Sequence, residues 1–205
     1  MRTFLISVGL FALLAALPVF AQSAPSDAAS SHDGVPNGWS IAGTAAKKYR
    51  YGTTADGAGR GAFIASLQTP APSAPDDFAT VMQTVASDAY RGKRVRLSAL
   101  LSTAMDPAAG GHAALWLRVD DEAGKVVGFD NMNSRPVTGT SARKRYEIVL
   151  DVPERSADIA FGFMQIGSGT TTAADFKLEQ VDSSVAITAP RTLPTAPVNL
   201  DFSER

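Results

Sequence analysis

Short stretches in which apolar and polar residues alternate recur through much of the chain. In Ala113–Asp120, the apolar side chains of Leu115, Leu117 and Val119 alternate with Trp116 and with polar residues. Successive side chains of a strand point to opposite faces of its sheet, so each such stretch has one apolar face. The pattern predicts half-buried antiparallel strands, because the strands of a parallel sheet read as continuous apolar runs.

Residues that break regular structure separate these stretches, as in Thr69–Asp77 and Thr103–Gly111. Short strands joined by Gly, Pro and Asp turns indicate an all-β sandwich. A helix over Asp77–Tyr90 is the competing prediction, but the Thr and Val residues there favour a strand. The predicted strands are Gly38–Gly43, Lys47–Gly52, Gly61–Leu67, Phe78–Ala86, Arg94–Thr103, Ala113–Asp120, Lys125–Asn131, Arg145–Val152, Asp158–Ile166 and Asp175–Asp182.

The N-terminus has the layout of a secretory signal peptide over residues 1–21. An arginine precedes the apolar run Phe4–Leu17, and Val19 and Ala21 suit cleavage after Ala21. The apolar run is too short to favour a membrane-spanning helix, although an uncleaved anchor is the alternative. We therefore expect a periplasmic or secreted protein, with residues 22–35 as a flexible lead-in to the domain.

The composition excludes several kinds of site. The chain has 205 residues, a formal net charge of −1 and no cysteine. Without cysteine there is no disulfide bond, no thiolate metal site and no cysteine nucleophile. The near-neutral charge indicates no nucleic acid partner and, after removal of the leader, no membrane partner. The basic residues Arg91, Lys93, Arg94 and Arg96 predict a charged strand edge that faces solvent.

No catalytic motif is recognisable in the chain. The two histidines, His32 and His112, lie in the predicted lead-in and in a glycine-rich loop, without a nucleophile or metal-ligand motif around them. Gly-x-Ser-x-Gly, His-Glu-x-x-His and the phosphate-binding loop are absent from the sequence. We predict that the protein is not an enzyme and that it has no cofactor, with the exception of a structural calcium ion considered below.

Several short sequence motifs, called phrases below, together resemble one domain family. They begin with Pro36-Asn37-Gly38-Trp39, continue with Tyr90-Arg91-Gly92-Lys93, and extend through the strand phrases up to Asp182. This set resembles a bacterial jelly-roll domain of the galactose-binding-like, carbohydrate-binding-module type, which is also found attached to transcription regulators and hydrolases. The resemblance covers residues 36–182. It implies a jelly-roll β-sandwich of two antiparallel sheets.

The family's opening Asn-Leu-Asp-Phe strand is missing before Pro36. A very similar phrase, Val198-Asn199-Leu200-Asp201-Phe202, lies near the other end of the chain. Because the termini of a domain often lie close together, we hypothesise that the C-terminal tail, residues 183–205, supplies this strand at 198–202. A tail without fixed structure is the alternative.

Four residues are candidates for ligand binding. Trp116 and Arg118 lie on the strand face opposite the aliphatic side chains, where an indole plate and a guanidinium suit a polar ligand. Asn131 and Arg135 belong to a distinctive loop phrase, in which an amide and a guanidinium could hold the rim of a site. The alternatives are simple packing for Trp116 and a structural turn for the loop.

The resemblance also implies that Asp175, beside the last strand, helps to hold a structural calcium ion. The leading hypothesis is a secreted, non-catalytic module that binds a carbohydrate or another polar ligand. The second is a domain that interacts with a protein partner or has a structural role in the periplasm. A hydrolytic enzyme is the third.

Overall fold

A computed structural model of the protein describes residues 30–56, 59–67, 77–105 and 110–188. The predicted signal peptide, most of the lead-in and the hypothesised strand at 198–202 lie outside these residues. The strands are β1 Ser30–Asp33, β2 Ser40–Ala42, β3 Tyr49–Asp56, β4 Gly59–Ser66, β5 Ala79–Ala86, β6 Arg94–Ala104, β7 His112–Asp121, β8 Val126–Asp130, β9 Val137–Thr138, β10 Thr140–Asp151, β11 Ser156–Ile166 and β12 Thr170–Val181, with a short 3₁₀ helix at Ala46–Lys48.

The strands form two antiparallel sheets. Sheet 1 has the order β1-β3-β4-β12-β6-β10, and sheet 2 has the order β2-β5-β11-β7-β8, with β9 also paired to β7. The predicted all-β architecture of two antiparallel sheets is confirmed. Asp77–Tyr90 contains strand β5, so the competing helix prediction is wrong. Within the described residues there is no helix with the length and hydropathy needed to cross a membrane.

The core lies between the sheets and follows the predicted alternation. One face of each long strand is buried, and burying a large aliphatic or aromatic side chain contributes about 1.5–3 kcal/mol to folding. The buried residues of four strands are Val95, Leu97, Ala99 and Leu101 of β6, Leu115, Leu117 and Val119 of β7, Ile148 and Leu150 of β10, and Ile159, Phe161 and Phe163 of β11.

The basic stripe does not form a sheet edge. Strand β6, which carries Arg94 and Arg96, lies inside sheet 1 between β12 and β10. Both guanidiniums lie on the outer face, where Arg94 pairs with Asp151 and Arg96 pairs with Glu179. The prediction of a solvent-facing strand edge was wrong because β12 and β10 flank β6 in the sheet and supply its charged partners.

A β-bulge interrupts the pairing of β12 with β6 between Ala174 and Lys177. Asp175 within the bulge has a φ of 49°, in the left-handed region that Asp and Asn tolerate better than most residues. A bulge shifts the alternation of side chains along its strand. Ala173 before the bulge and Phe176 after it consequently both pack toward the core. They are three positions apart, so regular alternation would have placed them on opposite faces.

Candidate binding cleft

A cleft of about 760 Å³ opens between the two sheets in the described part of the chain. Sheet 1 contributes residues of β3, β4 and β12 to its lining, and sheet 2 contributes residues of β5 and β11. The turn before β2 adds Pro36 and Trp39. This volume falls within the range of typical small-ligand sites, which are concave and mostly apolar with a few polar groups.

Aromatic side chains form one wall of the cleft. The rings of Trp39 and Phe161 meet edge to face with their centroids 5.9 Å apart, and Trp39 is tilted against Phe176 at 4.8 Å. Phe163 continues the cluster, 6.2 Å from Phe176. Such contacts hold each ring in one orientation. Phe161 and Phe163 are buried, at 5% and 0% exposed, and they support the half-buried rings of Trp39 and Phe176. Those two rings and the half-buried ring of Tyr90 form the apolar surface of the cleft.

The local structure explains why these rings meet. A turn in which the Trp39 amide donates to the Pro36 carbonyl, at 3.0 Å, orients the indole toward the cleft. Phe161 lies on the inner face of β11 by simple alternation. Phe176 reaches the same place because of the bulge at Asp175, which shifts the alternation of β12.

Polar groups also line the cleft. Gln83 lies beside Phe161 on the neighbouring strand, and its amide nitrogen donates to the Gly38 carbonyl at 3.1 Å, which fixes the side chain and orients its amide oxygen. Thr53 and Thr54 of β3 and Arg60 of β4 contribute further polar groups from sheet 1. The cleft thus combines an aromatic wall with hydrogen-bonding groups that are held by the two sheets.

The structure places Trp116 outside this cleft, on the outer face of sheet 2. Its indole reaches from β7 toward β5, across the intervening strand β11, where Gly162 is its cross-strand partner. The indole N–H donates to the Thr80 hydroxyl at 2.8 Å, and Thr80 in turn donates to the Phe163 carbonyl at 2.8 Å. Trp116 is 8% exposed. It is thus packed along the sheet rather than presented to solvent.

Arg118, the second candidate, lies on the same outer face and pairs with Asp120 at 2.8 Å. Its side chain is half-buried, and the carboxylate that it contacts is buried. Neither Arg118 nor Trp116 lines the cleft. The face that alternation predicted for these two residues is the one that they occupy, but the cleft opens on the other side of sheet 2.

Asn131 and Arg135 lie in a turn that is organised around buried Asp130. The Arg135 guanidinium donates to both carboxylate oxygens of Asp130, at 2.8 and 3.2 Å. The Asn131 side-chain oxygen accepts the Asn133 amide at 3.2 Å, as in an Asx turn. Both side chains therefore stabilise the loop, and neither lines the cleft.

Asp175 directs its carboxylate to the outer face of sheet 1. There it pairs with Arg145 and lies 3.9 Å from the Lys177 ammonium. Among the described residues no three His, Cys, Asp or Glu side chains group as metal ligands. Calcium needs several oxygen ligands, and the two cations beside Asp175 do not suit one. Calcium binding at this position stays a prediction from the resemblance.

The cleft residues were not predicted as a site from the sequence. Trp39, Gln83, Tyr90, Phe161 and Phe176 all fall within the phrases that carry the family resemblance. The phrases do not show that these residues meet in one cleft, because pairing between distant strands brings them together. Arg60 lies outside the phrases.

Comparison with known proteins supports the fold. No protein-family model matches the chain. It is 39% identical over 170 residues to the uncharacterised HTH-type transcriptional regulator YbfP of Bacillus subtilis, a match that covers 82% of this chain and 57% of that protein. The chain thus spans a little over half the length of this relative. The described residues contain strands and one short 3₁₀ helix, so none of them forms a helix-turn-helix.

Two carbohydrate-binding modules are similar in structure. The CBM22-1 xylan-binding domain of Paenibacillus barcinonensis Xyn10C has a TM-score of 0.50 and 14% identity, and the match covers 76% of this chain and 95% of that one. The C-terminal family 22 module of Clostridium thermocellum Xyn10B gives 0.50 and 12%, with 78% and 99% covered. At these identities the likeness concerns the fold alone. The chain therefore has the two-sheet fold of these carbohydrate-binding modules.

Proposed function

We propose that this domain is a non-catalytic module that binds a glycan in the cleft between its sheets. The observation that carries the proposal is the aromatic wall of the cleft, formed by half-buried Trp39 and Phe176, which pack on each other and on the buried ring of Phe161. A cleft of about 760 Å³ has room for part of a sugar chain. The proposed ligand is therefore a segment of a polysaccharide.

The chemistry of the lining suits a sugar. One face of a pyranose ring carries C–H groups that pack against an aromatic ring, while its hydroxyl groups need hydrogen-bonding partners. Trp39 provides the apolar plate, and the fixed Gln83 amide provides a hydrogen-bond acceptor within the same cleft. Because both groups are held before the ligand arrives, little ordering entropy opposes binding.

The similar structures support the choice of ligand class. One of them is described as a xylan-binding domain, and xylan is accordingly the first polysaccharide to test. We also infer that residues 1–21 direct export and that the module meets its glycan outside the cytoplasm. The non-catalytic assignment rests on the lack of a recognisable catalytic motif in the sequence.

Affinity electrophoresis in gels that contain soluble polysaccharides tests the proposal. We expect retardation of the wild type by at least one polysaccharide, and a loss of affinity of about tenfold or more in Trp39→Ala, since stacked aromatics commonly dominate a binding site. Trp116→Ala is the matched control, because it removes an indole from the outer face of sheet 2, away from the cleft. It should retain the wild-type affinity.

Two further measurements make the result decisive. Circular dichroism and thermal unfolding show whether each variant is folded, because Trp39 also packs against Phe161. Gln83→Ala removes a polar lining group with less effect on the aromatic cluster and should weaken binding as well. Equal retardation of the wild type, Trp39→Ala and Gln83→Ala would exclude the cleft as the site.

Binding of a protein partner is the second candidate function. The observation in its favour is the exposure of three large apolar side chains on the edge strand β8, Val126, Val127 and Phe129, which are 47%, 39% and 45% exposed. An exposed apolar edge can add a strand or a side chain from another protein. This edge lies away from the aromatic wall, so binding there would be insensitive to Trp39→Ala.

A further inference from the structure

Arg60 is the cation of the cleft. It lies on β4 opposite Ala55 of β3 and two residues before Ala62, whose side chain packs toward the core. Alternation places Arg60 on this inner face, and its exposed side chain lines the cleft. Among the described residues, no ion pair or hydrogen bond engages its guanidinium, in contrast to those of Arg94 and Arg96.

The acidic residue that lines the cleft does not neutralise Arg60. Asp175 is the acidic residue among the lining residues, but its carboxylate pairs with Arg145 on the outer face of sheet 1. Arg145 and Lys177 both lie within ion-pair distance of this carboxylate, so its charge is already compensated on that face. The remaining lining side chains are uncharged. The cleft therefore presents one positive charge beside an aromatic wall.

We propose that the ligand of this cleft is an acidic polysaccharide, one whose sugar units carry carboxylate groups, and that Arg60 binds a carboxylate. The proposal rests on the proposed function and narrows its ligand class to glycans that contain uronic acids. A guanidinium matches a carboxylate with two parallel hydrogen bonds, a geometry that a lysine ammonium cannot reproduce. A uronic acid ring stacked on Trp39 would leave the carboxylate of the sugar free to reach Arg60.

The test compares acidic polysaccharides with their own carboxyl-reduced forms. Glucuronoxylan, polygalacturonate and alginate are each used before and after reduction, so that the backbone is constant and only the charge changes. We expect the wild type to bind at least one acidic form about fivefold or more tightly than its reduced form, the difference that one exposed ion pair can supply. This preference should shrink as the salt concentration rises.

Variants of Arg60 test whether the preference for acidic over carboxyl-reduced polysaccharide arises in the cleft. Arg60→Gln should bind the acidic and the reduced polysaccharide alike, and Arg60→Lys should recover only part of the preference. Arg155→Gln, a change of the same kind at an exposed arginine outside the cleft, should bind as the wild type does.

The outcomes separate the two proposals. Equal binding of acidic and reduced forms by the wild type, with loss in Trp39→Ala, overturns the acidic ligand and leaves the glycan-binding function intact. An acidic preference that survives in Arg60→Gln also overturns it, whatever Arg155→Gln does, because the preference would then arise from charges other than Arg60. Absence of binding to every polysaccharide contradicts the proposed function itself.

Discussion

At the scale of single residues, Asp130 organises the loop that joins β8 to β9 in sheet 2. It is 3% exposed, and its carboxylate accepts the Met132 amide at 2.8 Å and the Thr188 hydroxyl at 2.7 Å, in addition to the two bonds from Arg135. A buried carboxylate is costly unless charged or hydrogen-bonded partners compensate for its lost hydration. Arg135 supplies the charge, and the other donors satisfy the remaining lone pairs.

Arg135→Met should therefore lower the free energy of unfolding by about 2 kcal/mol, less than for a fully buried pair because Arg135 is partly exposed and two donors remain. Urea unfolding measures this change. Arg155→Met, at an exposed arginine, is the control and should change stability by less than about 0.5 kcal/mol. Affinity for polysaccharide should be the same in both variants. If Arg135→Met bound polysaccharide more weakly while fully folded, Arg135 would be a ligand-binding residue after all.

The two tryptophans show how far a sequence predicts a site. Alternation correctly predicts that Trp116 lies on the outer face of its sheet, because the period of a strand is a local property. Whether that face is open depends on Gly162 and Thr80, which belong to other strands. Trp39 falls in the predicted strand Gly38–Gly43, but β2 begins at Ser40, and the place of Trp39 beside Phe161 follows from the packing of a turn against β11.

At the scale of elements, the outer face of sheet 1 carries rows of paired charges. Arg94 on β6 donates to both carboxylate oxygens of Asp151 on β10, at 2.7 and 2.9 Å. This hydrogen-bonded pair holds the pKa of Asp151 below its ordinary value. Arg96 lowers the pKa of Glu179 on β12 in the same way. The pairs cross between neighbouring strands, so they help to fix the register of the sheet.

These shifts predict how acid affects stability. In the unfolded chain Asp151 takes up a proton near its ordinary pKa of 3.8, whereas the folded state keeps the carboxylate ionised to a lower pH. The pair thus stabilises the fold fully above about pH 5 and loses this effect as the pH falls through the lowered pKa. Asp151→Asn should cost less than about 1 kcal/mol at neutral pH, since the pair is exposed. The cost should shrink as the pH falls below about 3.8 and through the lowered pKa of Asp151.

Urea unfolding of the wild type and Asp151→Asn across this pH range measures the difference. Glu122→Gln, in the exposed turn between β7 and β8, is the matched control and should follow the wild type at every pH. If the deficit of Asp151→Asn persisted unchanged in acid, the ion pair would not be its source.

The bulge in β12 shows where prediction of elements from the sequence ends. The alternating pattern predicts a last strand at Asp175–Asp182, whereas β12 runs from Thr170 to Val181 with the bulge inside it. Thr170–Thr172 belongs to the strand because it pairs with β4 and β6. The sequence there has no alternation of apolar and polar residues that would predict a strand. A bulge depends on pairing with a second strand, and Asp175 alone does not identify it.

At the scale of the whole molecule, the chain after β12 returns across the edge of the sandwich. Arg94 donates to the Val185 carbonyl at 2.6 Å, and the Thr188 amide donates to the Val149 carbonyl at 2.9 Å. The Thr188 hydroxyl accepts the Val149 amide at 2.8 Å. Residues 183–188 thus pack along β10, the edge strand of sheet 1, and join it to the buried Asp130 of sheet 2.

Two truncations separate this described segment from the tail beyond it. Ending the chain after Val181 removes four hydrogen bonds of Val185 and Thr188, so it should lower the free energy of unfolding by about 2–4 kcal/mol, at roughly 0.5–1 kcal/mol for each. Ending it after Thr188 keeps those bonds and removes only residues that lie outside the described part of the chain. The second truncation is therefore the direct test of the strand hypothesised at 198–202.

If the tail supplies that strand, truncation after Thr188 should lower the melting temperature by several degrees, because about 1 kcal/mol corresponds to roughly 2–4 °C in a domain of this size. Leu200→Asp and Phe202→Asp in the full chain should reproduce the loss, since they place a charge on a strand that buries one face. Ser203→Asp, at the end of the phrase, is the matched control. An unchanged melting temperature in the truncated chain would show that the domain folds without residues 189–205, and the hypothesis that the tail supplies a strand at 198–202 would be wrong.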